Sequence, residues 1–363
     1  MALIPFTRGA PSLDIIDSAG IAAAAQRAFA ADPGGTFGYG TAGGYAPLRE
    51  WIAEQHGADV DQVLVTNGSM QADAFLFELL VSPGDRVVVE APTYDRTLLN
   101  LRQRGADVRP IELQTDGIDV DALTALLDEG VHPRLAHIIP NFQNPAGYTL
   151  SAQKRARLLA LAAERGFTLF EDDPYIAIRF EGEPLPTMLS QDTACSVVYA
   201  SSFSKTVCPG VRCGYLVGPR NVIRDVIKLA TTTYISPNMV SQSIINEFCR
   251  SGRLEQSVAT VRTALRERRD ALVAALRREL PEARFTPPQG GYFMWVELPA
   301  GVVVDELAVA AEERGVAFVK GSDFLLDGGQ NAVRLAYSGL QPEQIDEGVT
   351  RLAAAVHSVR ADV

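Results

Sequence analysis

Five short apolar runs constrain this chain most: RVVVEAP (86–92), LAHIIP (135–140), FTLFED (167–172), SVVYAS (196–201) and CGYLVG (213–218). Each is nearly continuous in apolar residues rather than alternating, the mark of a strand covered on both faces. Helical periodicity accompanies them, at Ala22 to Ala30, Tyr45 to Gln55 and Ser69 to Val81 ahead of the first run and at Ser151 to Arg165 between the second and third. Ser151 is placed to cap the last of these and Gly166 to end it. Strands and helices in alternation predict an α/β fold, a three-layer large domain around a mostly parallel sheet. After Pro237 the pattern changes. Leu254, Val258, Val261, Leu265, Leu272 and Leu276 form one stripe of a long helix from Arg253 to Leu280. Strand-like YFMWVEL (292–298), VAFV (316–319) and AVRLAYS (332–338) follow, with a helix from Val304 to Arg314 and a final helix, as in a smaller α+β domain.

A chain of 363 residues suggests two domains at roughly 150 residues each. The expected division is an N-terminal arm and helix (1–30), a large domain (31–252) and a small domain (253–363) that includes the long helix. With 44 acidic against 33 basic residues the net charge is −11, which disfavours phosphate backbones and anionic membranes as partners. No run reaches the ~18 apolar residues of a membrane span. Nor does the N-terminus MALIPFTRGAPSLDII have the basic and apolar regions of a signal peptide. The location expected is the cytoplasm, with Cys195, Cys208, Cys213 and Cys249 as buried reduced thiols. Their spacing, and that of His56, His132, His137 and His357, does not describe a zinc site, so no metal is expected.

In a parallel sheet, ligands bind beyond the carboxyl ends of the strands. Here those ends carry Thr93-Tyr94, the segment Asn141 to Gly147, Glu171-Asp172-Asp173-Pro174-Tyr175, and Ser201-Ser202-Phe203-Ser204-Lys205. Two generic motifs compete with any reading built on them. Gly38 to Gly43 matches G-x-G-x-x-G but follows AADPGGTF rather than a strand, which a dinucleotide fingerprint requires. Ser202-Phe203-Ser204-Lys205 matches the S-x-x-K of certain serine hydrolases, yet Ser322-Asp323-Phe324 and Lys205-Thr206-Val207 stand where S-D-N and K-T-G are needed. A lysine between hydroxyls suits better an aldehyde cofactor that also carries a phosphate, namely pyridoxal phosphate.

SSFSK with Arg212, FEDDPY, NFQNPAG, the TNGSMQ turn and AVRLAYS together resemble the fold type I pyridoxal-phosphate enzymes. Among these the chain is most similar to the class I/II aminotransferases of the kynurenine and 2-aminoadipate branch, from about Ile4 to the last helix. The resemblance implies that Lys205 carries the cofactor as a Schiff base and moves the substrate proton. Asp172 would face the pyridine nitrogen. Strand alternation turns Glu171 and Asp173 the other way, and the spacing to Tyr175 selects Asp172. Tyr175 and Asn144 would donate to the phenolic oxygen, and Tyr94 would stack on the ring.

The phosphate would lie on Gly68, Ser69 and the Met70 amide at a helix N-terminus, joined by Ser202, Ser204 and Arg212. Tyr39 would reach the phosphate of a second subunit, which implies a homodimer with shared active sites. Arg334 would grip the α-carboxylate of the substrate beside Asn144 and Gly9, and Arg8, where relatives carry a small residue, would meet the substrate side chain. Two departures stand out: NPAG replaces the usual NPTG, and Met70 replaces a common glutamine. The expected reaction is amino transfer from an L-α-amino acid to a 2-oxo acid in two half-reactions. Elimination, cyclisation or oxidation on the same cofactor is the alternative, because these motifs bind the cofactor without choosing the outcome.

Overall fold

The computed structural model describes residues 2–361; Met1, Asp362 and Val363, which close the expected division at its two ends, lie outside the described residues. In chain order the strands are β1 Ile4–Pro5, β2 Val63–Thr66, β3 Arg86–Ala91, β4 Asp107–Gln114, β5 Gly117–Ile118, β6 Leu135–Ile138 and β7 Thr168–Asp172. They continue with β8 Val197–Ser202, β9 Gly214–Val217, β10 Phe293–Glu297, β11 Val316–Ala317, β12 Val319–Lys320 and β13 Ala332–Ala336.

Eight of these form one sheet in the order β2-β9-β8-β7-β6-β3-β4-β5. The pairs β3–β4, β3–β6, β6–β7 and β7–β8 are parallel, while β9 runs against both β2 and β8 and β5 runs against β4. The sheet is thus α/β and mostly parallel, as its unbroken apolar strands require. β2 and the central strands β6 and β8 are buried along their whole length. One face packs against Leu76, Phe77, Leu98 and Val226 of the helices Ser69–Leu80, Asp95–Gln103 and Arg220–Tyr234. The other face takes Leu123, Leu158 and Leu161 from the helices Val120–Asp128 and Ala152–Arg165.

Downstream of the helix Met239–Arg250 lies a 27-residue helix, Arg253–Glu279, whose buried side includes Val261, Leu265, Leu272 and Leu276. It packs with the antiparallel sheet β10-β13-β12 and the helix Pro342–Ala361. Ile4 and Phe6 of the N-terminal arm are buried in that same core, and β1 pairs in parallel with β11. The apolar run VAFV is therefore two strands: Val316–Ala317 holds the arm, and Val319–Lys320 turns to pair with β13. One sequence expectation fails here. Cys213 and Cys249 are buried, but Cys208 is only half-buried and Cys195, at a positive φ of 57° before β8, is exposed.

Candidate active site

All the parallel strands end at one edge, and β9 begins there. That geometry gathers residues remote in sequence: Ser69, Met70, Tyr94, Asn144, Asp172, Tyr175, Ser202, Ser204, Lys205 and Arg212 line a single cavity. An adjoining cavity of about 500 Å3 opens over Thr7, Arg8, Gly9, Lys205, Phe293, Phe324 and Arg334. Of the residues expected at the site, Tyr39 alone stands apart, 92% exposed on the segment after the helix Pro33–Phe37. A helix, not a strand, leads into Gly38 to Gly43, so that glycine motif is not a dinucleotide turn.

One end of the cavity gathers hydrogen-bond donors at a helix N-terminus. Gly68 caps the helix Ser69–Leu80 with φ 88°, and its first N–H groups have no partner within the helix. Crowding fixes this turn. A Cβ on Gly68 would lie 2.4 Å from Arg212 Nη2, and one on Gly214 would lie 2.5 Å from the Ser69 nitrogen. Arg212 itself is left-handed at φ 45° and donates to Ser204 Oγ (3.4 Å). Ser202 Oγ accepts from the Ser204 N–H (3.1 Å) and donates to the Cys213 carbonyl (3.2 Å), while Lys205 Nζ donates elsewhere, to the Gly9 carbonyl (2.7 Å). A serine hydrolase pairing of Ser202 with Lys205 is therefore not formed.

Strand alternation separates the three acids after Phe170 as expected. Glu171 caps Met188 and Leu189 (2.8 Å each) and approaches Arg155 (3.7 Å), and Asp173 accepts from Asn141 (2.7 Å). Asp172 points the other way, into the cavity, where its Oδ1 is buried without a partner and its Oδ2 lies 3.5 Å from His137 Nε2. Burial, then the charges of Arg334 and Arg212, lowers the Lys205 amine to about 8. Tyr175 is buried beside it, its phenol pushed far up by desolvation, and Lys205 Nζ lies 5.6 Å from that ring. Tyr94 is raised to about 12 by burial, and its hydroxyl meets Met70 Sδ (3.7 Å).

Arg334, on the middle strand β13, lies between Phe293 (4.4 Å) and Phe324 (4.8 Å). It donates to Asn144 Oδ1 (2.9 Å) and to the Thr7 carbonyl (2.7 Å), and its Nε is buried without a partner. A flat cation held between two rings keeps its donor edge in a fixed plane, as two-point recognition of a carboxylate needs.

Several contributors are not visible in the sequence. Tyr292 donates to the Lys205 carbonyl (2.6 Å), the Thr7 carbonyl meets Arg334, and Asp73 and His137 approach Asp172 from a helix and a neighbouring strand. The one signal available is Asp73, an acid within the otherwise apolar helix segment ADAFLF.

The sequence matches the model of aminotransferase class I and II over residues 3–352. The chain belongs to this family. It is 34% identical to the 2-aminoadipate transaminase of Thermus thermophilus over 99% of this chain and 91% of that one. It is equally identical to the aromatic-amino-acid aminotransferase 1 of Thermococcus litoralis, over 88% and 79%. Among solved structures, it superposes on an alpha-aminoadipate aminotransferase from T. thermophilus, complexed with N-(5'-phosphopyridoxyl)-L-leucine. That match has a TM-score of 0.95 at 33% identity and covers 99% and 94% of the two chains. The Pyrococcus horikoshii kynurenine aminotransferase superposes with a TM-score of 0.94 at 32% identity, over 99% and 91%.

The protein is thus a fold type I aminotransferase, and its cofactor is pyridoxal phosphate. The donor set fits that group: a half-buried amine, a crowded anion turn, and a buried carboxylate oxygen without a partner aimed into the same cavity. Among the described residues, no helix is long and apolar enough to cross a membrane.

Proposed function

We propose that this enzyme transfers an amino group between an L-α-amino acid and a 2-oxo acid in two half-reactions, at a site formed by residues 68–70, 94, 144, 172, 175, 202–205, 212 and 334. The observation that carries the assignment of roles is the convergence of Lys205, Asp172 and the Gly68 turn in one cavity. Pyridoxal phosphate supplies an aldehyde for the amine and a ring that takes up an electron pair. Lys205 would hold the aldehyde, and its amine, lowered to about 8, would be suited to taking the Cα proton of a bound amino acid. Asp172 would keep a proton on the pyridine nitrogen, Tyr175 and Asn144 would donate to the phenolic oxygen, and Tyr94 would cover a ring face. Ser69, the Met70 amide, Ser202, Ser204 and Arg212 would hold the phosphate.

Arg334 grips the α-carboxylate while the arm at Gly9 closes beside it. The side chain then lies in the outer cavity among Phe293, Phe324 and Val319, with Arg8 offering a cation to a second acceptor group. The long substrates named for the relatives, 2-aminoadipate and kynurenine, suit so open a mouth. We place the enzyme in the cytoplasm as a homodimer, its arm and helix (1–30), large (31–252) and small (253–363) parts forming each subunit. Tyr39, exposed on its own chain, reaches the phosphate of the partner. The four cysteines, all free, accord with a reducing compartment.

The test is the visible spectrum of the purified protein through a panel of L-amino acids. A yellow protein that bleaches to the pyridoxamine form supports amino transfer and ranks the donors. A colour change without pyridoxamine phosphate would point to elimination or oxidation instead. In a Lys205→Ala variant the yellow colour and turnover are both lost; unchanged turnover would remove Lys205 from its role.

A further inference from the structure

Three side chains behind the carboxylate site carry four buried polar atoms without a hydrogen-bond partner: Asp73 Oδ1, Asp172 Oδ1, and both ring nitrogens of His137. They come from three elements, the helix Ser69–Leu80, strand β7 and strand β6. Asp73 lies one turn beyond Ser69, so the helix that begins at the anion turn also presents an acid to the same cavity. Its neighbours Ala72, Phe75, Leu76 and Phe77 are buried apolar residues, and Asp73 itself is only 5% exposed. Phe77 and Phe170 pack on the His137 ring with centroids at 6.1 and 5.2 Å, closing this corner to water.

An unpaired ionised acid in such a place is costly, and two adjacent acids cannot both ionise there. Burial and the charge of Asp172 push the Asp73 carboxyl well above the ordinary range. The other titratable groups facing the pair are His137, whose Nε2 lies 3.5 Å from Asp172 Oδ2, together with Glu90, Tyr94, Tyr175, Lys205 and Arg212. Glu90 on β3 is raised to about 8 by burial but accepts from the Ile139 N–H (3.1 Å) and Gln143 Nε2 (3.2 Å). Tyr94 is raised, which leaves it a neutral phenol, and Lys205 and Arg212 lie in the same cavity as the cations.

We infer that Asp73 is a positioning residue that holds a proton against Asp172, so that the two carboxyls present one negative charge to the pyridine end of the site. A neutral Asp73 would offer its hydroxyl to Asp172 Oδ1, which like Asp73 Oδ1 is buried without a partner, and leave Oδ2, which also faces His137 Nε2, for the ring. That donation would hold the Asp172 carboxyl in one orientation toward the ring nitrogen. The inference rests on Asp172 being the ring partner, as proposed above.

Two readouts on the full chain test it. In the cofactor-free protein carrying 13C-labelled aspartate, infrared difference spectroscopy at pH 7 should show a protonated aspartic carboxyl component that is lost in Asp73→Asn, distinct from the one that Asp173, also raised by burial, retains in both proteins. No such band, or one unchanged in the variant, would overturn the shared proton. In the protein loaded with 15N-labelled pyridoxal phosphate, Asp73→Leu should lower the proton affinity of the ring nitrogen about tenfold, since a hydrogen bond to a charged group is lost. Asp73→Asn, which can still donate, should restore it. An unchanged nitrogen titration in Asp73→Leu would overturn the positioning role, and should that variant not fold, the infrared comparison with Asp73→Asn decides. Asp172→Asn separates the two readings: if it leaves the nitrogen unaffected, the ring partner is another group, while the infrared band still reports on the proton.

Discussion

Lys205 should destabilise its own cofactor-free protein, and Lys205→Met should relieve that cost in a pH-dependent way. The amine titrates near 8 in the folded chain against 10.5 for an ordinary lysine. At about 1.4 kcal/mol per tenfold, that gap corresponds to about 3 kcal/mol of disfavoured charge, and screening at the open side of the site reduces it to roughly 1–3 kcal/mol. For a chain of this length, with an unfolding entropy of about 2.1 cal/mol/K per residue, the gain is about 1–4 °C in melting temperature. The sign follows from proton counting. Below pH 8 both folded and unfolded wild-type chains carry the lysine proton, and the full cost is present. Between 8 and 10.5 the folded chain has lost the proton that the unfolded chain keeps, so wild-type stability rises with pH. The advantage of the variant should therefore be largest near pH 7 and nearly gone by about pH 10. Comparing melting temperatures of the two cofactor-free proteins across that range removes any constant contribution from packing or from the lost bond to the Gly9 carbonyl. A difference independent of pH, or one that grows with it, would refute the argument.

Arg334→Lys keeps the charge but loses the planar fork between Phe293 and Phe324. The second-order rate of the amino-acid half-reaction should fall about 100-fold, while bleaching by a simple amine without a carboxylate changes far less. Gly214→Ala forces a methyl group to within 2.5 Å of the Ser69 nitrogen and 2.6 Å of the Gly68 carbonyl carbon. It should cost about 1–3 kcal/mol and weaken cofactor binding, measured by fluorescence titration with pyridoxal phosphate; unchanged affinity would mean that this turn does not hold the phosphate.

The parallel strands can be read from the sequence because a strand covered on both faces leaves no polar interruption to confuse it with a helix. β2 escapes that reading although VLVT is as long as β6 and β9: polar Asp61-Gln62 and Thr66-Asn67 close in on its three apolar residues, and its partner β9 lies about 150 positions away. β4 escapes it because it is nearer the sheet edge. Its polar residues DVRPIELQ alternate in burial toward the end, with Ile111 and Leu113 in and Glu112 and Gln114 out. Motif residues are legible when a strand end places them, as with Asp172 and Lys205. Contacts made through backbone are not. Nothing in a residue's identity announces that the carbonyls of Thr7 and Gly9 will meet Arg334 and Lys205, or that Tyr292 will hold the Lys205 carbonyl.

These contacts divide the site into two parts with different mechanical character. The anion end is jammed: Gly68 and Gly214 admit no Cβ, Arg212 is held left-handed, and every wall belongs to the eight-stranded sheet or to the segments at its edge. At the other end, three of the walls come from the arm at residues 7–9, strand β13 and the loop at Phe324, and the arm is fixed through β1 to β11. Rigid crowding suits a cofactor that stays bound through both half-reactions, whereas the outer cavity must accept an amino acid and a 2-oxo acid in turn. Substitutions at Gly68, Arg212 or Gly214 should accordingly change cofactor affinity for every substrate alike. Those at Arg8, Val319 or Asp323 should reorder the substrates and leave cofactor affinity in place. Arg8→Gly makes the cleanest case, because its guanidinium is exposed and lines only the outer cavity. It should lower the rate for donors with an acidic side chain relative to apolar ones, and an equal loss for both would show that Arg8 acts on the α-carboxylate end instead.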